Sequence, residues 1–421
     1  MMEPKIRFKG FEGEWKDTIW GNYIVSTHTG TNLLGEVSNK GIPLLKMGNI
    51  QRGFFDLEKM EYLAANQNPP VNCIANYGDF FYNTRNTLEL VGKGATWMKK
   101  DGIYAFNSNI AICKLDGIDT FFFNYLYNTL RSIKQVQARA KGTTSVAAVY
   151  MRDLKSIELA LPHITEQQAI ASYFTSLDSQ ISAATSRLAS LKQMKAASLQ
   201  AMFPQEGKTV PKIRFKGFEG EWKKVMFSET FEFLKNNSLS RAELSNEGDI
   251  VNVHYGDVLI KYGDLLNIQN EELTFIADNK IGNTLYNSCH LQNGDIIIAD
   301  AAEDNTVGKC SEIVNICNKR VVSGLHTIPC RPLNRFSIGY LGHYINSESY
   351  HNQLLPLIQG SKISSISKKT LSQTIVLVPS IEEQKCIGNY FTSLDRQISL
   401  QSQRLEKLKQ IKSACLDKMF V

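Results

Sequence analysis

Residues 161–203 read LPHITEQQAIASYFTSLDSQISAATSRLASLKQMKAASLQAMF, and residues 378–420 read VPSIEEQKCIGNYFTSLDRQISLQSQRLEKLKQIKSACLDKMF. In the first stretch apolar residues fall at Ile170, Phe174, Leu177, Ile181, Ala184, Leu188 and Leu191, in alternating steps of four and three. The same steps in the second carry Ile387, Phe391, Leu394, Ile398, Gln401, Leu405 and Leu408. Such spacing lines one stripe of an α-helix and makes the seam of a coiled coil. Each stretch opens behind a proline with a capping signal, Thr165 to Gln168 in the first and Ser380 to Glu383 in the second. Each then runs about 40 residues, a rod of ~60 Å. A lone rod of this kind would expose a long Leu, Ile and Phe stripe, which soluble chains rarely tolerate. The nearest complement is the other copy, so the two helices are expected to pair as an antiparallel coiled coil with pseudo-two-fold symmetry.

The duplication reaches beyond the helices. KIRFKGFEGEWK occupies residues 5–16 and again 212–223, behind a proline both times. Between the matched ends, roughly 17–155 and 224–372, the halves share little except Gly-Asp pairs such as Gly78-Asp79 and Gly294-Asp295. The frame repeats while its contents differ. In the first half, short apolar runs (IPLLKMGNI, FFYNTR, IAICKL) precede a helix-like FFFNYLYNTLRSIKQVQARA that ends by Gly142. In the second, IVNVHYGDVLI, DIIIADAA and HTIPCRP precede a helix-like FSIGYLGHYINSESYHNQLLPLIQ that ends by Gly360. Strands followed by a helix, twice, predict an α+β fold. The expected layout is a first domain at 1–160, a first helix at 161–203, a linker at 204–211, a second domain at 212–377 and a second helix at 378–421.

The bulk numbers bound the function. At 421 residues, with 43% hydrophobic and 21% charged, the chain has material for two or more cores. Its longest apolar runs are too short to cross a membrane. MMEPKIRFKG lacks the apolar stretch of a signal peptide, and eight cysteines without a CxxC pair suit reduced thiols, so a cytoplasmic location is expected. A net charge of +6 permits a nucleic-acid partner without demanding one.

Loops of such domains are where side chains reach a base edge or a phosphate. In the first half, Lys46, Asn49, Gln51 and Arg52 form one polar cluster, and Asn83, Arg85 and Asn86 another. Arg suits guanine and Asn or Gln suits adenine, because each offers two hydrogen bonds to one base edge. The second half offers His254, Tyr255 and Lys261, then Asp300, Asp304, Asn305 and Lys309. Arg139, Lys141 and Thr143 beside Gly142, and Lys362 beside Gly360, suit phosphates at a tight loop. The clusters carry the reading as sets, not residue by residue.

Catalytic chemistry is not expected. Asn68-Pro69-Pro70-Val71 approaches the Asn-Pro-Pro-aromatic element of adenine methyltransferases, but Val71 stands where an aromatic must stack on an extruded base, so a turn is expected. Glu14-Trp15-Lys16 and Glu221-Trp222-Lys223 approach a nuclease tail without a metal-binding aspartate upstream of the first. They are better read as an edge where Phe8, Phe11 and Trp15, and Phe215, Phe218 and Trp222, pack. Cys310, Cys317, Cys330 and His326 lack zinc-site spacing, and no metal site is expected.

These features together resemble the specificity subunit of Type I restriction-modification systems: tandem KIRFKGFEGEWK segments, Glu166-Gln167 and Glu383-Gln384 behind prolines, YFTSLD twice, and two heptad helices. The resemblance spans the chain. It implies two target-recognition domains in tandem, each followed by a long helix and each reading half of a split sequence on double-stranded DNA. The helices would serve as spacer and as the dock for two modification subunits, with restriction subunits joining in systems that have them. It implies no cofactor on this chain, S-adenosylmethionine on the partner methyltransferase, and ATP and Mg on a partner translocase-nuclease. No membrane partner is implied. Two other readings remain: a single-chain methyltransferase or nuclease that carries its own reader and would bind S-adenosylmethionine itself, and a tandem scaffold without sequence-specific DNA affinity.

Overall fold

The computed structural model describes residues 3–37, 40–269, 272–360 and 363–421. The chain divides into two compact units, Met1–Thr185 with Gln403–Val421, and Ser186–Ser402. Each half therefore completes its unit with the end of the other half's helix. The two rods are continuous helices, Ile164–Met202 and Ile381–Met419. No described helix is long and apolar enough to cross a membrane.

In the first unit a strand Lys16–Ile19 runs antiparallel to Glu158–Leu161, closing the domain on itself. Its main sheet has the order Ile24–Thr29, Ile110–Leu115, Phe80–Asn83, Gly94–Thr96, all antiparallel. A second four-stranded sheet and a short three-stranded ladder of Lys141–Gly142, Ala147–Ala148 and Arg85–Asn86 complete it. In the second unit Lys223–Met226 closes on Ile375–Val378 in the same way. There the main sheet is five-stranded, ordered Phe231–Phe233, Thr327–Pro332, Ile296–Ala299, Cys310–Val314, Leu265–Asn267. Its three central strands are antiparallel neighbours, like those of the first unit.

The repeated letters are explained by the contacts they make. Arg7 forks onto Glu166 with two bonds of 2.7 Å, and Arg214 onto Glu383 with two of 2.7 Å. Both carboxylates are almost wholly buried, so the dozen-residue segment and the Glu-Gln helix start are two halves of one bond. Gln167 donates to the Pro162 carbonyl and accepts from Asp119 N–H, while Gln384 does the same with Pro379 and Ser337. In YFTSLD, Phe174 and Phe391 are fully buried, and Tyr173 and Tyr390 reach Cys415 and Ser198 on the opposing helix. The terminal aspartates pair across the helices as well, Asp178 with Lys412 and Asp395 with Lys195. In each unit the helix ends thus run antiparallel, low residue numbers of one facing high numbers of the other. The repeated tryptophans pack edge-on against the end of the opposing helix, Trp15 on Phe420 and Trp222 on Phe203.

The predicted seam is buried or half-buried at Ile170, Phe174, Leu177, Ile181, Leu188, Leu191, Ile387, Phe391, Leu394, Ile398, Leu405 and Leu408. Four local expectations are corrected. Thr165 lies inside the first long helix, whose first turn is held instead by the His163 carbonyl accepting from Glu166 and Gln167 N–H. Ser380 does cap the second, but Glu383 turns to Arg214 and not back to the cap. The two helix-like runs are each broken, into Thr120–Tyr127 and Leu130–Ala138, and into Tyr340–Asn346 and Glu348–His351. Thr129 restarts the first pair by capping Ser132 N–H, and Ser347 stands between the second pair. Finally, IVNVHYGDVLI is a strand only to Val253, after which His254 caps a helix Tyr255–Ile260.

Candidate nucleic-acid interface

At one end of the first unit's main sheet, strand Phe80–Asn83 exits while Gly94–Thr96 and Ile110–Leu115 enter. The ladder places Arg85 and Asn86 beside Ala147 and Ala148, and through them beside Lys141 and the exposed tip at Gly142–Val146. Gly142 holds φ 131°, with a Cβ-sized space blocked by the Val146 carbonyl, so the tip requires glycine. Thr143 lies on that exposed tip, Lys141 pairs with Asp153 at 3.1 Å, and Leu88 N–H donates to the Thr144 carbonyl. Arg85 is exposed and has no side-chain partner among the described residues. Arg52 donates to the Glu89 carbonyl at 2.8 Å, and Lys93 donates to Gln51 at 2.6 Å, which joins the 51–52 loop to the same edge. Burial, then Arg52, lowers the Lys93 ammonium from its ordinary value, and burial lowers Arg52.

Four candidates in this unit face inward or are taken up by the fold. Asn49 is buried and ties the loop by accepting from Lys46 N–H and donating to the carbonyls of Asp56 and Lys59. Asn83 has no exposed surface and donates to the Met47 carbonyl. These two build the loops and do not present an amide to a ligand. Lys46 pairs with Glu61, and Arg139 spends all three nitrogens on Ser156 and the Gln135 carbonyl.

The corresponding end of the second unit's sheet is built on the same backbone bonds. Thr84 N–H donates to the Asn109 carbonyl, and Asp300 N–H to that of His326. Val149 N–H meets the Thr84 carbonyl as Ile366 N–H meets that of Asp300. Gly92 and Lys93 bracket Asn83 as Gly308 and Lys309 bracket Ala299. A Val-Gly-Lys triplet at 91–93 and 307–309 signals this in the sequence, in letters too common to mark a site by themselves.

Here Tyr255 packs its ring on His254 at 4.6 Å and against His326 at 5.3 Å, edge-on, and His326 Nδ1 lies 3.1 Å from Asp300 Oδ1. Burial raises the Asp300 carboxyl from its ordinary value while His326 pulls the other way, and burial lowers His254. Lys261 is exposed, with Glu272 at 3.8 Å. Lys309 is turned inward, capping the Leu259 and Tyr262 carbonyls, and His254 is buried, its Nδ1 accepting from Gly256 N–H as a helix cap. Asp304 accepts from Thr306, and Asn305 is exposed with its carbonyl bonded to His351. Lys362 lies outside the described residues.

Residues 34–193 and 219–410 match the Type I restriction modification DNA specificity domain, one match in each half. The chain belongs to the Type I restriction-modification specificity family. Similar to this specificity subunit is the putative type I restriction enzyme MjaX specificity subunit of Methanocaldococcus jannaschii, 21% identical over 393 residues, covering 90% of this chain and 86% of the relative. The MjaVIII specificity subunit of the same organism is 21% identical over 307 residues, covering 70% and 68%. The solved Type I S subunit from M. genitalium matches with a TM-score of 0.63 at 16% identity over 100% of this chain and 99% of that one, which shows the fold. Specificity subunits are non-catalytic DNA-recognition subunits of a larger complex, and this one carries two recognition domains in tandem.

Other polar groups of the specificity subunit have structural roles. Asp264, His343 and Asp395 bring ligand atoms within 4.8 Å of one another in the second unit. Lys195 already sits among them, 2.7 Å from Asp264 and 2.5 Å from Asp395, so an ammonium supplies the charge a metal ion would bring. Cys310 and Cys330 are buried thiols, raised by desolvation, and Asn68–Val71 leads into a short turn at Val71–Cys73.

Proposed function

We propose that each recognition domain reads one half of a split target on double-stranded DNA and that the paired long helices hold the two readers and dock two modification subunits. The observation that carries this is the contrast between frame and contents. Arg7–Glu166 and Arg214–Glu383, Asp178–Lys412 and Asp395–Lys195 repeat bond for bond. The sheet ends keep their backbone bonds but carry Thr84, Arg85 and Asn109 in one unit and Asp300, Ala301 and His326 in the other. A repeated frame with exchanged edge residues suits two readers of different sequences presented to one kind of complex. In this reading S-adenosylmethionine belongs to the modification subunits, ATP and Mg to a translocase-nuclease subunit where the system has one, and the complex works on cytoplasmic DNA.

The test is to co-express the chain with its modification subunit in a host free of adenine methylation and map N6-methyladenine at single-base resolution. A motif of two defined halves with a fixed unspecified gap is expected. A continuous motif, or none from an intact complex, would refute the reading. Exchanging residues 17–155 for another reader is expected to rewrite one half only. Arg85→Ala is expected to lower methylation at the native target by about 5- to 150-fold, the range for losing one good base contact, and equal rates would remove Arg85 from the interface.

A further inference from the structure

Asn109 and His326 occupy one structural position. Each immediately precedes the strand that lies between its neighbours at the centre of the main sheet, and each lends its carbonyl to the residue leaving the adjacent strand, Thr84 or Asp300. Around them the backbone bonds are matched, yet the side chains are not. In the first unit the Thr84 hydroxyl also donates to the Asn109 carbonyl at 2.9 Å, and the half-buried Asn109 amide has no side-chain partner among the described residues. In the second, Asp300 replaces the hydroxyl with a carboxylate and grips the imidazole itself at 3.1 Å.

Among the described residues, His326 is also one of three non-glycine residues with a left-handed backbone, at φ 54°. A histidine held there is strained, and such strain persists where the surrounding structure fixes the conformation. Its direction is outward: the side chain is 51% exposed although Asp300 holds one nitrogen and Tyr255 borders the ring. Because a carboxylate can only accept, Nδ1 carries the proton toward Asp300, and in the neutral ring Nε2 is left as an acceptor. Nε2 has no partner among the described residues.

We propose that His326 is a base-reading residue of the second domain, its Nε2 accepting from the exocyclic amino group of an adenine or cytosine in the major groove, with Asp300 as the positioning residue that fixes the tautomer. Asn109 is its counterpart in the first domain, where an amide offers both donor and acceptor to an adenine edge. This rests on the split-target reading above.

The experiment compares methylation maps of the intact complex for the unmodified chain, His326→Ala, Asp300→Ala and Asn109→Ala. His326→Ala is expected to relax a single base position in one half-site, with discrimination there falling about 5- to 150-fold. Asp300→Ala is expected to relax that same position, because the freed ring presents either nitrogen. Asn109→Ala is expected to relax a position in the other half-site. A merely structural role would lower methylation at all sites without selecting a base pair. Unchanged motifs in the His326 and Asp300 variants, or a uniform loss, would overturn the assignment while leaving the split target of the unmodified chain intact. A continuous motif from the unmodified chain would take down both.

Discussion

Arg214→Met is expected to destabilise the second unit by about 3–5 kcal/mol, the cost of stranding a buried carboxylate. Glu383 has 1% of its side chain exposed and receives both fork nitrogens of Arg214, whose third nitrogen donates to the Gly220 carbonyl at 2.6 Å. Methionine keeps much of the volume and removes every donor. The Glu383 charge then has neither water nor a cation, and the loop at 214–220 loses the bond that holds it to the helix start. Guanidinium unfolding followed by hydrogen exchange of the second unit's amides would measure this as a lower midpoint. The double variant Arg214→Met with Glu383→Leu should recover most of the loss, because desolvating two charges is itself costly and apolar replacement removes that cost. A single variant with an unchanged midpoint would show that the repeated segment is not anchored through this pair. Arg7→Met is expected to act alike in the first unit, where Glu166 is 2% exposed.

That pair also shows what a sequence can disclose. The heptad seams were legible because a helix stripe depends only on spacing, and the duplication was legible because identical letters need no structural insight. That Arg7 answers Glu166 was not legible, since the partners are far apart in the chain and a charged residue in a repeated segment reads the same whether it is solvated or buried. Asn49 and Asn83 failed as reader candidates for a related reason. An asparagine in a loop has the same spelling when it ties backbone carbonyls together as when it faces a base, and only burial separates the two. In the sequence His326 reads only as a poorly spaced metal ligand, because its contact with Asp300 is tertiary and no spacing predicts its backbone conformation. The helix breaks at Thr129 and Ser347 escaped because apolar residues on both sides share one core and mask the cap between them.

The two interhelical lysines offer a controlled comparison within one chain. Lys195 and Lys412 occupy equivalent places and each meets the aspartate that ends YFTSLD. Around Lys195 the site is drier and more crowded: its side chain is 19% exposed, it meets Asp264 as well as Asp395, and the fully buried His343 holds the other Asp395 oxygen at 2.8 Å. In the first unit Tyr125 takes the place of His343, donating to Asp178 at 2.9 Å, and Lys412 and Asp178 are 30% and 36% exposed. Lys195→Met is therefore expected to cost about 3–5 kcal/mol, and Lys412→Met about 1 kcal/mol or less. The acid limb gives the sign of a further test. Burial would raise Asp395, but His343 and Lys195 outweigh it and hold the carboxyl below its ordinary range. Its stabilising share is thus complete above the unfolded value, about pH 4, and is lost as pH falls through the lower folded value. The gap between the native chain and Lys195→Met should accordingly be fully open at pH 7 and narrow below about pH 4. A cost at Lys195 as small as that at Lys412 would mean that both pairs behave as surface bridges. Burial around Asp264 and His343 would then not be what distinguishes the second copy of the frame from the first.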